Sequence, residues 1–248
     1  MSEESSPWRT ETVDETGSTN ADLLARAAAG EDIDGAVLIA ESQTAGRGRH
    51  GRSWSTPPGS QIALSAGVGV GDVPSDAWGW LPLLTSVAVV DAVAETTHVT
   101  AGLKWPNDVL VGSGKLAGIL AEVAAPTPVV VVGLGLNVSE APDPAATSLK
   151  LLGATVDRDE LTEAVLRHLA TRIAAWKAAG GADTDLAADY RTRSVTIGNR
   201  VRALLPGDRT VEGVADDIDD QGRLRIDTGH ELLTVSAGDI THLRAANP

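Results

Sequence analysis

Cysteine is absent from the 248 residues, so neither a disulfide nor a thiolate metal site can form, and a cytoplasmic location is expected. No run stays apolar for the roughly 18–20 residues that a membrane span needs. The opening MSEESSPWRT is polar and acidic, unlike a secretion signal. Positive charge is scarce: Lys+Arg number 20 against 34 Asp+Glu, for a net charge of -14. A general nucleic-acid binder needs the opposite balance, because neutralising phosphates drives its affinity. Lysine is rarest, with only Lys104, Lys115, Lys150 and Lys177. Such an acidic, lysine-poor chain resembles proteins of salt-loving organisms; the plainer alternative is an ordinary acidic cytosolic protein. Against either background, a local basic cluster is not surface filler. Phenylalanine is also absent, which leaves Trp and aliphatic side chains to make apolar contacts to a ligand.

What is present, 42% hydrophobic residues, is enough for a sizeable core. Residues 18–30 read as a helix capped by Ser18 or Thr19 and stopped by Gly30. AVLIAE at 36–41 reads as a buried strand and QIALSAGV at 61–68 as another. A helix over 81–95 follows, with Pro82 tolerable in its first turn. Short strands are expected over 101–104, 107–111, 116–124 and 129–134, then a Pro/Ala linker at 141–147. Leu161, Val165, Leu169, Ile173 and Trp176 repeat at three or four, which predicts a long amphipathic helix over 159–179; a shorter one covers 184–192. After Arg193 the texture changes to short alternating segments split by PGD and DQG turns. The expected division is therefore 1–192 and 193–248, the second a small all-β, barrel-like module.

The unusual segment is ESQTAGRGRHGRSWSTPPG, residues 41–59, within a glycine-, arginine- and proline-rich loop over 42–60. Arg47, Arg49 and Arg52 fall within six residues, interleaved with Gly46, Gly48 and Gly51, and no acid lies nearby in the sequence. An anion that closes the loop through charge-assisted hydrogen bonds would explain the crowding. The glycines would let backbone N–H groups approach the same anion. The plain alternative is a solvated basic loop, or one paired to the acidic surface. Gly46, Gly48 and Gly51 formally fit the dinucleotide fingerprint, but that needs a following helix and the chain runs instead into Ser-Trp-Ser-Thr-Pro-Pro. Nor does a Gly-Lys-Ser/Thr end the loop, so it is not a P-loop.

GRGRHGRSW resembles the biotinyl-adenylate loop of biotin–protein ligases, GRGRxGRxW. KWPNDVLV at 104–111, KLAGILAEV at 115–123 and GLGLNV at 133–138 follow in that family's order, and GSTN at 17–20 resembles its opening motif. Five motifs in register identify the chain as a member. The resemblance implies an α+β fold: a mixed β-sheet flanked by helices, as in class II synthetases and lipoate ligases, with a C-terminal SH3-like barrel. It implies ATP-dependent activation of biotin to biotinyl-5'-adenylate, then transfer to a lysine of a biotin carboxyl carrier domain. ATP and Mg²⁺ are the expected cofactors, with no protein residues assigned as a standing metal site. Neither nucleic acid nor a membrane is expected as a partner, and a homodimer is compatible with the pattern.

The resemblance also assigns roles. Lys115 and Arg49 would sit beside the carboxylate and α-phosphate, with Asp108 completing the catalytic set and orienting the acceptor amine. Ser18, Thr19, Asn20 and Gln43 would read the ureido ring through neutral partners. Arg47, Gly48 and Gly118 would also touch biotin. Arg47, Gly48, Arg49, Arg52, Trp54, Lys104, Asn107, Lys115 and Asn137 would hold ATP and the adenylate, Trp54 by stacking on adenine. Asn107 and Asp108 offer oxygens for Mg²⁺, ribose or the amine. The plainer roles are a helix cap at Ser18, a packing anchor at Trp54, a surface lysine at 115 and an ordinary Pro-Asn-Asp turn. His50, at the variable position, reads as loop filler. A lipoate ligase shares the chemistry but not the GRGRxGRxW and KWPND motifs. A biotin-sensing repressor would need a DNA-binding domain, which the seventeen residues before Ser18 cannot hold. A non-catalytic biotin binder would not need phosphate-gripping cations.

Overall fold

The computed structural model describes residues 6–54, 57–126, 128–141, 144–181, 184–205, 209–236 and 239–242. The expected PGD turn at 206–208, Ser55 and Thr56 of the arginine-rich loop, and residues 142–143 of the linker lie outside them.

A seven-stranded mixed sheet carries the first part of the chain. Its strands are β1 (Arg9–Thr16), β2 (Ala36–Gln43), β3 (Gln61–Gly69), β4 (Gly102–Lys104), β5 (Asp108–Val111), β6 (Gly114–Ala124) and β7 (Val129–Asn137). Their spatial order is β1-β2-β3-β7-β6-β5-β4. β1 runs parallel to β2, and the remaining pairs are antiparallel. β1 was not expected from the sequence. Its residues RTETVDET are mostly exposed, so it has no apolar face to announce it.

Side chains alternate across a strand, and here the two faces differ sharply. Ile62, Leu64 and Ala66 of β3 and Val130, Val132, Leu134 and Leu136 of β7 join the main core. That core is completed by α2 (Trp80–Thr97) and α3 (Arg158–Ala178). α2 is apolar on almost every side and is buried along most of its length, as expected for a helix between a sheet and a second helix. The periodic Leu161, Val165, Leu169, Ile173 and Trp176 of α3 are all buried. Trp80, Trp105, Trp176 and Tyr190 fill the volume that phenylalanine would otherwise take. Arg172 of α3 pairs with Asp91 of α2 and with Asp189 of α4 (Thr184–Arg193), and Arg193 reaches Asp91 at 3.0 Å. On the opposite face of the sheet, α1 (Thr19–Ala28) packs Leu23 and Ala27 on Leu38 and Val131.

The linker around residues 145–147 is not free. Lys115 N–H donates to the Ala145 carbonyl at 3.0 Å and Thr147 N–H to the Lys115 carbonyl at 2.9 Å, so this stretch runs beside the start of β6.

Beyond α4, strands β8 (Arg200–Leu205), β9 (Arg209–Ile218), β10 (Leu224–Asp227), β11 (Leu232–Val235) and β12 (Asp239–His242) form a five-stranded sheet in the order β11-β10-β9-β8-β12. Val201, Ala203, Ala215, Leu224 and Ile226 point into a core continuous with the main one. The turn between β9 and β10 hooks onto the first sheet's helices and loops. Trp80 Nε1 donates to the Asp220 carbonyl at 2.8 Å and Trp105 Nε1 to the Gly222 carbonyl at 3.0 Å.

Most ion pairs here are exposed and individually weak. The chain carries a net charge of -14. Its self-repulsion is relieved by counter-ions. Melting temperature is therefore expected to rise between low and molar KCl. A flat or falling curve would leave only the plain acidic-protein reading.

Candidate active site

The face of the sheet shared with α1 carries a cavity of about 680 Å³. Its floor follows from strand alternation. Gly118 and Leu120 of β6 and Gly133 and Gly135 of β7 line it, with Gln61 and Ser65 of β3 and Glu122 of β6 projecting to the same face around it, while the intervening residues are apolar and pack mostly into the core. The absent side chains make room. A Cβ at Gly133 would overlap the Asn20 amide, and one at Gly135 would overlap the Trp54 indole. Gly118 and Gly135 face each other across β6 and β7, and a Cβ on Gly118 would lie 2.9 Å from Lys115 Nζ.

One end of the cavity is neutral and polar. Ser18 caps α1, its hydroxyl accepting from Ala21 N–H, and so places Thr19 and Asn20 in the first turn. All three are buried. Gln43 Oε1 accepts from Thr19 N–H at 2.9 Å. Thr19 and Ser65 hydroxyls share a hydrogen bond of 2.7 Å, and Ser65 donates to Asn20 Oδ1. Asn20 Nδ2 donates to the Leu120 carbonyl at 3.1 Å and to Glu122 Oε2 at 2.9 Å.

The other end is cationic. Lys115 Nζ pairs with Asp108 Oδ1 at 2.6 Å and stands 5.4 Å from the centroid of the Trp54 ring, a cation–π distance. Trp54 Nε1 donates to Gln61 Oε1. Arg49 Nη1 donates to Asn107 Oδ1 at 3.1 Å, while Asn107 Nδ2 donates to the Ile119 carbonyl at 2.9 Å. Asn107 thus links the arginine segment to β6. Trp105–Pro106, just before it, is a cis peptide. Burial pushes the neighbouring Tyr190 hydroxyl far above the usual phenol range, and the Asp108 carboxylate adds to the rise. Tyr190 is therefore a neutral packing group.

The arginine-rich segment is a closed hairpin where an irregular loop was expected. Arg47 bridges Ser53, Gly48 N–H donates to the Arg52 carbonyl at 2.7 Å, and Trp54 N–H donates to the Gly46 carbonyl at 2.8 Å. Its tip has His50 at φ 56° and Gly51 at φ 72°, the two left-handed positions of a mirror-image hairpin turn. His50 accordingly shapes the turn and is more than filler. Gly48 N–H is spent inside the hairpin, so it does not face an anion. Nor is Arg47 far from an acid: its Nη2 lies 2.7 Å from Glu122 Oε2.

The structure gathers on this one cavity Ser18, Thr19, Asn20, Gln43, Arg47, Gly48, Arg49, Arg52, Trp54, Lys104, Asn107, Asp108, Lys115 and Gly118. Asn137 is not part of that lining, although strand alternation puts it on the face of Gly133 and Gly135. It is fully buried, and its Nδ2 donates to the Lys115 and Thr147 carbonyls, so it fixes the backbone behind Lys115. Sequence reasoning missed Gln61, Ser65 and Glu122, although the period-two step from Gly118 through Leu120 reaches Glu122 on the same face. It also missed Arg202, Leu204, Thr210 and Ile240, which bring the C-terminal sheet to the cavity mouth. Among the described residues, no group of three or more His, Asp or Glu is arranged to hold a metal. No helix among them is long and apolar enough to cross a membrane.

A mixed sheet with helices on both faces, a neutral polar pocket beside a cation-rich one and a small β module against its mouth define the fold of the carboxylate-activating protein ligases. The chain belongs to the biotin/lipoate A/B protein ligase family, whose sequence model matches residues 16–138. The model of the biotin protein ligase C terminal domain matches residues 196–243. The biotin--[acetyl-CoA-carboxylase] ligase of Mycobacterium tuberculosis is 59% identical, over 96% of this chain and 91% of that one. The bifunctional ligase/repressor BirA of Bacillus subtilis is 32% identical, over 84% of this chain and 66% of its own length. Among solved structures, the biotin protein ligase of Aquifex aeolicus in complex with biotin and ATP superposes with a TM-score of 0.81 at 25% identity, covering 96% of this chain and 99% of that one.

Proposed function

We infer that the protein is a biotin–protein ligase, which makes biotinyl-5'-adenylate from biotin and ATP and passes the acyl group to a lysine of a biotin carboxyl carrier domain. One observation carries this reading. In a chain of net charge -14, Arg47, Arg49, Arg52, Lys104 and Lys115 converge on one cavity whose lining, among the described residues, holds a single carboxylate, Asp108. A site that joins a carboxylate to a triphosphate must overcome the repulsion of two anions, and such an excess of cations does so. The neutral end, built from Ser18, Thr19, Asn20, Gln43 and Ser65, suits an uncharged ring with both N–H and C=O groups.

In the first step a biotin carboxylate oxygen bonds to the α-phosphorus, and the bond to pyrophosphate breaks. Lys115 and Arg49 hold the oxygens that gain charge. In the second step the neutral amine of the acceptor lysine attacks the acyl carbon. An amide forms, AMP leaves with the electron pair of the C–O bond, and the amine loses a proton. Its unperturbed pKa is about 10.4, so a nearby base is needed, and Asp108 is the carboxylate in reach of the cavity. The donor set, one carboxylate and one amide oxygen, fits magnesium carried on the nucleotide, which Asp108 and Asn107 would hold. When bound, the ion neutralises phosphate charge. Residues 1–192 act as the catalytic unit in this reading and 193–248 as the C-terminal one.

The test is pyrophosphate release with ATP plus biotin, repeated with lipoate, and then transfer to a carrier domain. Release with lipoate but not biotin would overturn the assignment. A further expected outcome concerns the floor. Gly135→Ala puts a methyl where the Trp54 ring lies, so the indole is displaced and the KM for ATP rises about tenfold, the equivalent of about 1.4 kcal/mol. Steady-state kinetics with ATP varied check this, and an unchanged KM would remove Trp54 from nucleotide binding.

A further inference from the structure

We infer that Glu122 is a positioning residue that ties the head of the pocket to the arginine hairpin, so that recognition of the bound ring and closure of the hairpin depend on one carboxylate oxygen. Glu122 does not line the cavity. Its Oε2 accepts from Asn20 Nδ2 at 2.9 Å and from Arg47 Nη2 at 2.7 Å. The two donors come from different segments of the chain, 102 and 75 residues away in sequence, and meet on this one oxygen.

The consequence for Asn20 is a fixed orientation. An amide has a donating and an accepting end, and only the NH₂ can face a carboxylate. With Nδ2 held by Glu122 and the Leu120 carbonyl, Oδ1 must point back toward Ser65, which donates to it. Ser65 is then left to accept from the Thr19 hydroxyl, whose own neighbour Gln43 Oε1 already accepts from Thr19 N–H. Glu122 and the Leu120 carbonyl together therefore fix the Asn20 amide, and the head pocket presents Asn20 Oδ1 as an acceptor. A ring that carries N–H donors is the complement of that polarity. Arg47 is the other half of the device. It opens the hairpin, pairs there with Ser53, and is anchored to the sheet through Glu122. Shared acceptors of this kind give coupled, non-additive energetics.

This inference rests on the biotin-ligase reading for the identity of the ring, but the tether does not. Glu122→Gln keeps the shape of a side chain that is already 28% exposed, so the fold is retained. It removes the charge and offers an NH₂ to one of two donors. Two readouts are taken. In the first, without any substrate, trypsin cleavage after Arg49 and Arg52 accelerates at least threefold in the variant. In the second, biotin-dependent pyrophosphate exchange shows the KM for biotin raised about tenfold. Glu122→Asp, which keeps the charge, restores much of the affinity, whereas a mere packing role would not distinguish Asp from Gln. The double variant Glu122→Gln/Arg47→Gln loses no more biotin affinity than the worse single one. Unchanged cleavage overturns the tether. Unchanged KM, or losses that multiply in the double variant, overturns the coupling. A wild-type protein inert toward biotin would instead sink the function reading, while the substrate-free cleavage still decides the tether.

Discussion

Lys115→Ala is expected to abolish adenylate formation, with pyrophosphate release falling by about a hundredfold to a thousandfold, the cost of removing one preorganised electrostatic stabiliser. The structure sharpens the reason. Lys115 opens β6, its backbone is held on both sides by Ala145 and Thr147, and Asn137 secures its carbonyl from behind. The ammonium is thus aimed by rigid scaffold, between Asp108 and the face of Trp54. Truncation removes the charge, leaves Asp108 without its partner and takes away the cation over the indole. The side chain is one-third exposed, so the fold should survive and the melting temperature should move little. A single-turnover assay of pyrophosphate release, alongside a melting curve, checks both points. Normal release from a normally folded variant would remove Lys115 from the mechanism.

Arg49→Gly is expected to separate making the adenylate from keeping it. Arg49 reaches across to Asn107, which is itself bonded to Ile119 of β6, so this contact fastens the hairpin to the sheet. Loss of one charge-assisted hydrogen bond costs about 1.5–3 kcal/mol. That corresponds to roughly tenfold to hundredfold faster escape of the intermediate. A glycine beside the left-handed pair His50 and Gly51 loosens the hairpin further. Lys115 remains to support activation. Released acyl-adenylate reacts with any neutral amine, so serum albumin incubated with the variant, ATP and biotin should become biotinylated well beyond the wild-type level. Adenylate production without excess labelling would show that Arg49 is no lock.

Much of this was readable before the structure, and the limits have physical causes. Local periodicity gave α3 its buried stripe, and the alternation in β3 and β7 gave the apolar face of the sheet. The motif residues converge because four of their segments lie at the ends or along one face of adjacent strands. β1 escaped notice because an exposed edge strand of Thr and acidic residues has no apolar alternation; only its pairing to β2 defines it. Glu122 escaped because its partners are brought to it by the sheet, not by the chain. Arg202, Leu204 and Thr210 escaped because their arrival at the cavity depends on how the second sheet docks. Asn137 was assigned to the nucleotide from its motif; it is absent from the cavity lining and holds the backbone of Lys115 from the neighbouring strand. A sequence motif marks which segments matter without saying which side chains face inward.

The two indole hooks on the β9–β10 turn have a mechanical meaning. Trp80 begins α2, and Trp105 immediately precedes the Pro106-Asn107-Asp108 stretch; both are almost wholly buried and both donate to backbone carbonyls of the turn. The C-terminal sheet therefore works as a splint on the segment that carries Asn107 and Asp108. A chain cut after α4 would bare both indoles to water and free that segment to drift from Lys115. Activation would then fail before recognition of the ring does, since the Trp105 hook holds the Asn107–Asp108 side of the cavity. By the same leverage, anything that presses on the small sheet from outside is felt first at the phosphate end of the cavity.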